Sequence, residues 1–396
     1  LNVPKVDPKQ LEDVASMLQQ AQKPLALIGR GAEHAGALVQ KFVEANHIPF
    51  IQTMPAKGTI ADDHPNSLGN VGKLGTKPAY EAMKATDLLF MIGTNYPYTP
   101  YLPAEGQAKC VQIDTRPENL GKRYSVDVAV DGDVGTFFTE LNAKGSLRDD
   151  DRFLKACQKN MESWNKWMSE KRLLATNPAS PEAVFATIDQ TAPKDAIYSI
   201  DVGTSTSWGA RFLNVQPTQK YTISAWLGTM GCGLPGAIAG AEAFPKRQNI
   251  SVAGDGAFAM VMQDFVTAVK YKLPIIMVVM NNQKLAFIEY EQQSAGQLNY
   301  EINLADMDYA KIAEAAGGIG YTARSNDEFK NALAKAYKET DKPVLINTYV
   351  QDDAPLPGKI VGDEAKGYMK YGSEYLENYW KIPSMPPLKD IMRQFF

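Results

Sequence analysis

Short apolar segments alternate with helix-like segments up to about residue 145 of the chain. Leu11, Val14 and Leu18 recur at helical spacing directly after Asp7-Pro8, a pair typical of a helix start. A second helix is expected over about 33–45. Apolar runs of strand length lie at 24–29, 49–52, 87–93, 110–114 and 126–130. Strands that alternate with helices in this way predict a doubly wound parallel sheet.

A charged segment of small residues at 143–152 (AKGSLRDDDR) separates this region from a second alternation of the same kind. A polar helix that contains tryptophan is expected over about 152–174, before a break at Asn177-Pro178. Strand-like runs then lie at 196–200, 221–224, 249–253, 275–280, 320–323 and 344–349. The sequence therefore predicts an α/β protein with two doubly wound parallel-sheet domains, at 1–148 and 149–358.

Residues 359–396 form an aromatic tail that contains Pro383, Pro386 and Pro387. The simpler interpretation is an ordered C-terminal arm that packs on a neighbouring domain or subunit. A membrane-binding amphipathic helix is the alternative, but the prolines would divide the tail into pieces too short for one. The tail therefore predicts no membrane contact.

The composition is that of a globular protein. Of the 396 residues, 44% are apolar and 22% are charged, and the net charge of −4 argues against a general nucleic-acid binder. The three cysteines are scattered, which argues against a disulfide framework and favours a cytoplasmic location. The three histidines, His34, His47 and His64, lack the spacing of a metal site and are expected on the surface. A Ser-His-Asp triad after residue 64 is excluded.

The segment that points most clearly to chemistry covers residues 249–282. Gly254-Asp255-Gly256 ends one apolar strand and Asn281-Asn282 ends the next, with a helical pattern between them. Because parallel strands end at the same sheet edge, Asp255 and Asn282 are expected side by side, where open α/β sheets bind ligands. A divalent cation that bridges to a diphosphate needs such oxygen ligands. Gly256 and Ala257 open a helix whose free N–H groups favour phosphate.

A second glycine pattern competes with this interpretation. Gly231, Gly233 and Gly236 match the G-x-G-x-x-G dinucleotide fingerprint, with Asp255 downstream. Asp255, however, lies inside the Gly-Asp-Gly turn rather than at the bare end of a strand. The diphosphate interpretation explains both segments and is preferred to a dinucleotide site.

The order strand, Gly-Asp-Gly, helix, strand, Asn-Asn resembles the thiamine diphosphate fingerprint of the 2-oxo-acid decarboxylase and oxidase superfamily. The resemblance implies that Mg²⁺ is held by Asp255, Asn282 and the backbone carbonyl of Lys284. It also implies that the diphosphate meets a loop after another strand, and that Met230 wedges under the aminopyrimidine; plain core packing is the alternative for Met230. The loop that meets the diphosphate contains Gly203, Thr204 and Ser205, and Gly228 belongs with Met230 to the segment that holds the aminopyrimidine.

The residues after Asn282 resemble those of pyruvate oxidases within this superfamily. The resemblance implies that Phe287 and Glu291 lie near the reactive carbon, with Ile288 beside the cofactor. Acetohydroxyacid synthases carry a tryptophan-rich stretch just after this point, whereas this chain has no tryptophan between Trp226 and Trp380. The pattern therefore favours the oxidases over the synthases.

The first domain resembles the FAD-binding middle domain of the flavin-containing branch of the superfamily. In that branch FAD runs along the carboxyl edge of the sheet, and Asp114 stands where a ribose-binding carboxylate is expected. The dinucleotide fingerprint itself is missing because His34 replaces its third glycine. The positions that match are Gly29, Arg30, Gly31, Thr53, Met54, Val71, Gly72, Gly93, Asn95, Asp114, Asp133 and Val134.

The resemblance implies the reaction of a pyruvate oxidase. Pyruvate would lose CO₂ on thiamine diphosphate, FAD would take up electrons and pass them to O₂, and phosphate would receive the acetyl group. The products would be acetyl phosphate, CO₂ and H₂O₂. The alternatives are a quinone-linked pyruvate dehydrogenase, a carboligase of the acetohydroxyacid synthase type and a non-catalytic cofactor-binding scaffold.

In this superfamily the glutamate that activates thiamine belongs to a separate N-terminal pyrimidine-binding domain of a neighbouring subunit. No such domain is recognised in this sequence, so a piece of a longer protein is expected. A cofactor shared between subunits implies a homo-oligomer, at least a dimer, and the resemblance suggests a homotetramer built as a dimer of dimers.

Overall fold

The computed structural model describes residues 6–352, 358–360, 362–380, 383 and 388–395. The chain divides into two compact units. The first unit runs to Met168 and includes Asn214–Thr218, and the second comprises Ser169–Leu213 and the residues from Gln219 onward. The division falls near the end of the tryptophan-bearing helix that follows the charged segment at 143–152.

The first unit is built on one parallel five-stranded sheet in the order β2-β1-β3-β4-β5. The strands are β1 (Pro24–Ile28), β2 (Phe50–Gln52), β3 (Leu88–Ile92), β4 (Lys109–Asp114) and β5 (Val128–Asp131). The helices are α1 (Pro8–Gln20), α2 (Gly36–Ala45), α3 (Lys77–Ala85), α4 (Val134–Asn142) and α5 (Arg152–Arg172), with 3-10 turns at Arg30–Ala35, Met54–Ala56, Thr99–Tyr101 and Pro117–Asn119. The connection from β1 goes to one side through β2, and β3 then pairs on the other side.

Both faces of this sheet are covered. Ala26 and Ile28 of β1 pack into a core with α1, α2 and α4, whereas Leu25 and Leu27 pack into a second core with α3. Every β1 residue is buried. A strand buried on both faces reads as an unbroken apolar run, which is the signal present in the sequence.

Helix starts in this unit follow their local sequence. Asp7 caps α1, because its carboxylate accepts a hydrogen bond from the Lys9 N–H at 2.9 Å. Thr76 caps α3 through Ala79 at 3.1 Å, and Asp133 caps α4 through Thr136 at 2.9 Å. These short polar side chains satisfy the free N–H groups of the first helical turn.

The second unit is built on a parallel six-stranded sheet in the order β10-β11-β9-β8-β6-β7. The strands are β6 (Ile197–Ile200), β7 (Lys220–Thr222), β8 (Asn249–Gly254), β9 (Ile275–Asn281), β10 (Ile319–Ala323) and β11 (Val344–Tyr349). The helices are α6 (Pro181–Thr191), α7 (Thr204–Phe212), α8 (Gly233–Ala243), α9 (Asp255–Ala259), α10 (Phe265–Lys270), α11 (Ala286–Ser294), α12 (Tyr309–Ala315), α13 (Asn326–Ala336), α14 (Gly362–Tyr379) and α15 (Leu388–Phe395), with a 3-10 turn at Met262–Asp264. The predicted class, an α/β protein with two doubly wound parallel sheets, is confirmed.

Three local predictions are wrong. The helix expected over 33–45 is divided, because a tight 3-10 turn occupies Arg30–Ala35 and α2 begins only at Gly36. The tail holds an uninterrupted helix of 18 residues, α14, because its first proline is Pro383; Pro386 and Pro387 lie outside the described residues. His64 is not a solvated surface residue: only 10% of its side chain is exposed, and its ring lies 2.9 Å from a Glu44 carboxylate oxygen. Within the described part of the chain, no helix is both long and apolar enough to span a bilayer.

Candidate functional site

Asp255 lies at the carboxyl end of β8, where the chain turns into α9. Its two oxygens accept hydrogen bonds from the Gly256 N–H at 2.9 Å and the Gln283 N–H at 2.6 Å. Only 2% of the residue is exposed. Burial raises the pKa of Asp255 to about 6, although these two N–H groups oppose the shift. A carboxylate that has lost its hydration in this way has much to gain from a bound cation.

Asn282 and Lys284 follow the neighbouring strand, β9. Gln283 between them has a left-handed φ of 60°, which turns the loop back over the end of β8. The Asn282 side-chain oxygen accepts a hydrogen bond from the Lys284 N–H at 3.3 Å. The fold therefore brings Asp255, Asn282 and the Lys284 backbone together at one sheet edge.

The donor atoms at this edge suit a hard divalent cation. Among the residues that the structure describes, no group of three or more His, Cys, Asp or Glu side chains could hold a metal alone. A cation here would depend on the Asp255 carboxylate, the Asn282 amide oxygen, backbone carbonyls and oxygens of its ligand. Mg²⁺ binds in this manner when phosphates complete its coordination.

Asp201 joins two loops at the same edge, and sequence analysis gave its side chain no role. It ends β6, is fully buried, and accepts hydrogen bonds from the N–H groups of Val202, Gly231 and Gly233, each at 2.8 Å. Burial raises the pKa of Asp201, while these N–H groups oppose the shift. The carboxylate thus fixes the loop before α7 to the loop before α8. The feature of the sequence that could have indicated this role is the position of Asp201, an acidic residue directly after an apolar strand.

Glycines near the two loops that Asp201 joins, and the glycine before Asp255, border open space. An added Cβ at Gly203, Gly228 or Gly254 would meet no atom of the described residues within 4 Å. Gly203 and Gly228 also have positive φ values, 135° and 61°, which glycine adopts without strain. Thr204 is the first residue of α7, and Ser205 is buried with its hydroxyl donating to the Asp201 carbonyl at 2.9 Å. A ligand can therefore approach the backbone closely here.

Met230 reaches toward the Gly-Asp-Gly turn. Its Cε lies 3.8 Å from the position that a Cβ on Gly256 would take, and the side chain is half-buried against the core that contains Ala257. Met230 is therefore placed between the Gly228 loop and α9. Both the predicted supporting role and simple packing are compatible with this position.

Helix α11 begins soon after the Asn282 turn and carries the other predicted residues. Phe287 and Glu291 are four residues apart and share one face of the helix, whereas Ile288 is 40% exposed. Glu291 is exposed, and Phe287 packs against Tyr290 with ring centroids 6.0 Å apart. The helix thus carries an aromatic ring and an exposed carboxylate on one face, and it begins at Ala286, four residues after Asn282.

In the first unit, glycines allow a very close contact between the ends of β1 and β3. A Cβ on Gly29 would lie 2.3 Å from the Gly93 carbonyl oxygen, and one on Gly31 would lie 2.9 Å from the Gly93 Cα. The Gly31 N–H donates to the Gly93 carbonyl at 3.0 Å. This contact lies where the strand order reverses, which is the usual ligand-binding crevice of such sheets. Arg30 between the two glycines is exposed.

The remaining residues predicted for the first unit also follow strand ends. Thr53 and Met54 follow β2, and the Thr53 N–H donates to the Ile28 carbonyl at 2.9 Å. Val71 accepts a hydrogen bond from the Tyr96 hydroxyl at 3.2 Å, and Gly72 beside it has a φ of 104°. These contacts bring the loops after β2 and β3 together.

The polar side chains of this edge are bonded to one another. Asp114, at the end of β4, accepts from the Arg116 N–H at 2.9 Å and from the Asn119 amide at 3.2 Å, and Asn95 in turn donates to Asn119 at 3.1 Å.

Asp133, before Val134 of α4, lies 2.6 Å from a His34 ring nitrogen. Burial alone would raise the pKa of Asp133, but the Thr136 N–H and His34 outweigh it and lower the pKa.

Two family models match the chain. The central domain of thiamine pyrophosphate enzymes matches residues 11–141, and their C-terminal TPP-binding domain matches residues 201–348. The Bacillus subtilis protein named "Putative thiamine pyrophosphate-containing protein YdaP" is 42% identical over 99% of this chain and 68% of its own length. The chain belongs to the thiamine pyrophosphate enzyme family. The cofactor of this family is the thiamine diphosphate that the resemblance of residues 249–282 implied.

Other members of the family differ in the reaction that their names give. The pyruvate oxidase of Lactiplantibacillus plantarum is 32% identical over 99% of this chain and 66% of its own length. The acetolactate synthase large subunit of Porphyra purpurea is 31% identical over 87% of this chain and 60% of its own length. The chain thus spans two thirds or less of the length of these two relatives.

The second unit fits the family cofactor. Among the described residues, the hydrogen bonds to the Asp255 carboxylate come from backbone N–H groups and not from a cationic side chain, and the open glycines and two helix N-termini lie at the same sheet edge. A magnesium-bound diphosphate would supply the positive charge that this carboxylate lacks and the oxygens that the helix N–H groups favour.

Proposed function

We propose that this chain forms the FAD-binding and thiamine diphosphate-binding parts of a pyruvate oxidase. The reaction would convert pyruvate, phosphate and O₂ to acetyl phosphate, CO₂ and H₂O₂. The observation that carries the proposal is α11, which starts directly after the Asn282 turn and places Phe287 and Glu291 on one face. Similarity to a pyruvate oxidase over both units supports it.

Each residue at the edge of the second sheet would have a defined task. When bound, thiamine diphosphate supplies a carbon nucleophile for the 2-oxo acid and accepts the negative charge left by CO₂. Asp255, Asn282 and the Lys284 carbonyl hold the magnesium, and Gly203, Thr204 and Ser205 bind the diphosphate at the start of α7. Met230 supports the aminopyrimidine above Gly256.

Helix α11 would shape the pocket around the reacting carbon. Phe287 excludes water there, and Ile288 lines the cofactor beside it. Glu291 accepts or donates a proton as the acetyl group leaves to phosphate. The chain itself therefore provides the metal site, the wedge and one acid–base group.

The edge of the first sheet is our proposed FAD site. Gly29, Gly31 and Gly93 let the ends of β1 and β3 approach each other closely at the strand-order reversal, and we place the flavin nucleotide along this edge. Asp114 and Asn95 both hydrogen-bond Asn119. They would bind the ribose of FAD by giving up some of these bonds. The other positions that we propose for the FAD site also follow strand ends. They are Thr53, Met54, Val71, Gly72, Asp133 and Val134. We also propose a homo-oligomer of at least two subunits, with no nucleic acid or membrane as partner.

The test is an anaerobic half-reaction of the full-length gene product loaded with Mg²⁺, thiamine diphosphate and FAD. Addition of pyruvate should bleach the flavin absorbance within the turnover time. Air should then restore the absorbance, with H₂O₂ and, in phosphate buffer only, acetyl phosphate as products. A flavin that stays oxidised while pyruvate disappears would contradict the oxidase proposal.

A carboligase of the acetolactate synthase type is the second candidate, because a synthase is 31% identical over 87% of the chain. The same experiment separates the two, since the carboligase would form acetolactate without a change in flavin absorbance. Reduction of a quinone with acetate as the product would instead indicate the quinone-linked dehydrogenase.

A further inference from the structure

The side chain of Lys284 makes ionic contacts that its proposed backbone role does not require. Lys284 lies between β9 and α11, and its ammonium group hydrogen-bonds the Asp352 carboxylate. It also lies 3.4 Å from an Oε of Glu289 in the first turn of α11. Asp352 follows the end of β11. One cation thus joins the metal turn, the start of α11 and the end of the neighbouring strand.

Glu289 is held from its other side as well. Its second oxygen accepts hydrogen bonds from the Asn299 amide at 2.6 Å and from the Gln293 amide at 3.3 Å. Only 13% of the Glu289 side chain and 25% of the Lys284 side chain are exposed. The Lys284–Glu289 pair is therefore poorly screened by solvent, and its two charges depend on each other.

The backbone of the same turn is anchored independently. Lys284 forms an isolated antiparallel bridge with Asn303, and the Leu285 N–H donates to the Ile302 carbonyl at 2.8 Å. These backbone bonds should keep the turn folded when the Lys284 side chain is changed. What the side chain adds is the charge that lets Glu289 and Asp352 lie close together.

We propose that Lys284 is a positioning residue for the magnesium–thiamine diphosphate site through its ammonium group, acting as the shared counter-ion of Glu289 and Asp352. Without it, the Glu289 and Asp352 carboxylates would repel each other, which would move the start of α11 away from the end of β11. Phe287 and Glu291 lie on that helix, and Asn282 lies two residues before Lys284, so both sides of the pocket would shift. The proposal rests on the metal and cofactor roles given to Asp255 and Asn282.

The pKa shifts agree with this arrangement. Burial raises the pKa of Glu289, and the nearby Asp352 carboxylate raises it further. Burial alone would lower the pKa of Lys284, but Asp352 and Glu289 outweigh it and raise the pKa. The Asp352 carboxylate therefore disfavours the negative charge on Glu289, and the Lys284 ammonium group opposes that effect.

The test compares charge variants of the full-length gene product by calorimetric titration of thiamine diphosphate at fixed Mg²⁺. Lys284→Met should weaken binding about 10- to 100-fold, the range found when groups that orient metal ligands are removed. Lys284→Arg should stay within about threefold of the wild type because it keeps the charge. The triple variant Lys284→Met, Glu289→Gln, Asp352→Asn should recover binding to within about fivefold.

A matched control is Lys311→Met on α12, an exposed lysine that also pairs with a carboxylate, Asp308 at 3.4 Å. It should bind like the wild type. The proposal is overturned if Lys284→Met binds like the wild type, or if the triple variant binds no better than Lys284→Met. Should Lys284→Met fail to fold, the charge-free triple variant decides alone: tenfold weaker binding in a folded triple variant contradicts the proposal. Failure of the wild type to bind would instead contradict the cofactor site itself.

Discussion

Asp255 carries a negative charge in a buried place where backbone N–H groups, such as those of Gly256 and Gln283, replace only part of the lost hydration. The pKa of about 6 expresses that deficit. In a protein selected for stability alone, an apolar or amide side chain would avoid this cost. We interpret the buried charge as part of a cation site, because carboxylates with a shifted pKa concentrate at functional positions.

This residue predicts a particular dependence of stability on pH. The pKa of Asp255 is higher in the folded chain than the ordinary value near 4, so the folded state binds the extra proton between pH 4 and 6. The gain in unfolding free energy from this proton is complete below about pH 4, and it is lost as the pH rises through about 6. The metal-free protein should lose about 3 kcal/mol relative to the Asp255→Asn variant over that interval.

Urea unfolding of both metal-free proteins from pH 4 to pH 8 measures this difference. Because both proteins share all other titrating groups, only the Asp255 contribution changes with pH in the comparison. If the difference in unfolding free energy between the two proteins stays constant from pH 4 to pH 8, the pKa of Asp255 is not raised in the folded state.

At the scale of elements, Asp201 connects the end of β6 to the start of α8. The Asp201→Asn variant replaces one acceptor oxygen by an NH₂ group that faces the N–H groups of Val202, Gly231 or Gly233. We expect a loss of about 1–3 kcal/mol in unfolding free energy. Thiamine diphosphate binding should weaken at least tenfold, because the Gly203 and Gly228 loops lose their common anchor.

Asp195→Asn is the control for this change, since Asp195 is exposed and precedes the same strand. Urea unfolding and calorimetric titration of thiamine diphosphate with Mg²⁺ check both expectations. Wild-type affinity in the Asp201→Asn variant would mean that the two loops hold their positions without this carboxylate.

Most elements of the fold could be predicted from the sequence because buried parallel strands are continuous apolar runs. β9, for example, is buried at every position and reads IIMVVMN. The 3-10 turn at Arg30–Ala35 could not, because it depends on the approach of Gly93 from a distant strand. Helical spacing describes only local sequence, and such contacts between distant residues override it.

The same limit applies to the site. Asp255 and Asn282 could be placed together because neighbouring parallel strands end at one edge. The tasks of Asp201 and of the Lys284 side chain could not be predicted from the sequence. Their partners Gly231 and Asp352 lie in loops far along the chain. Which pairs of distant polar side chains meet is decided by loop geometry, and single-sequence patterns carry little of that information.

At the scale of the molecule, each unit gathers its candidate residues at the carboxyl edge of its own sheet. In the first unit a buried ion pair, Lys57 and Asp62 at 2.6 Å, also holds the segment Asn214–Thr218, because Asp62 accepts the Val215 N–H at 2.7 Å. That segment lies between α7 and β7 of the second unit in the sequence. The chain therefore leaves the second unit for these residues and then returns to it, and each unit has its own core.

The central claim is that the second unit holds magnesium and thiamine diphosphate through Asp255. Calorimetric titration of thiamine diphosphate into the full-length gene product, with and without Mg²⁺, tests it most directly. We predict binding that requires Mg²⁺, is weakened at least 100-fold in Asp255→Ala, and is unchanged in Asp341→Ala, an exposed carboxylate of the same unit. Equal affinity in the wild type and Asp255→Ala, or binding that ignores Mg²⁺, would contradict the account.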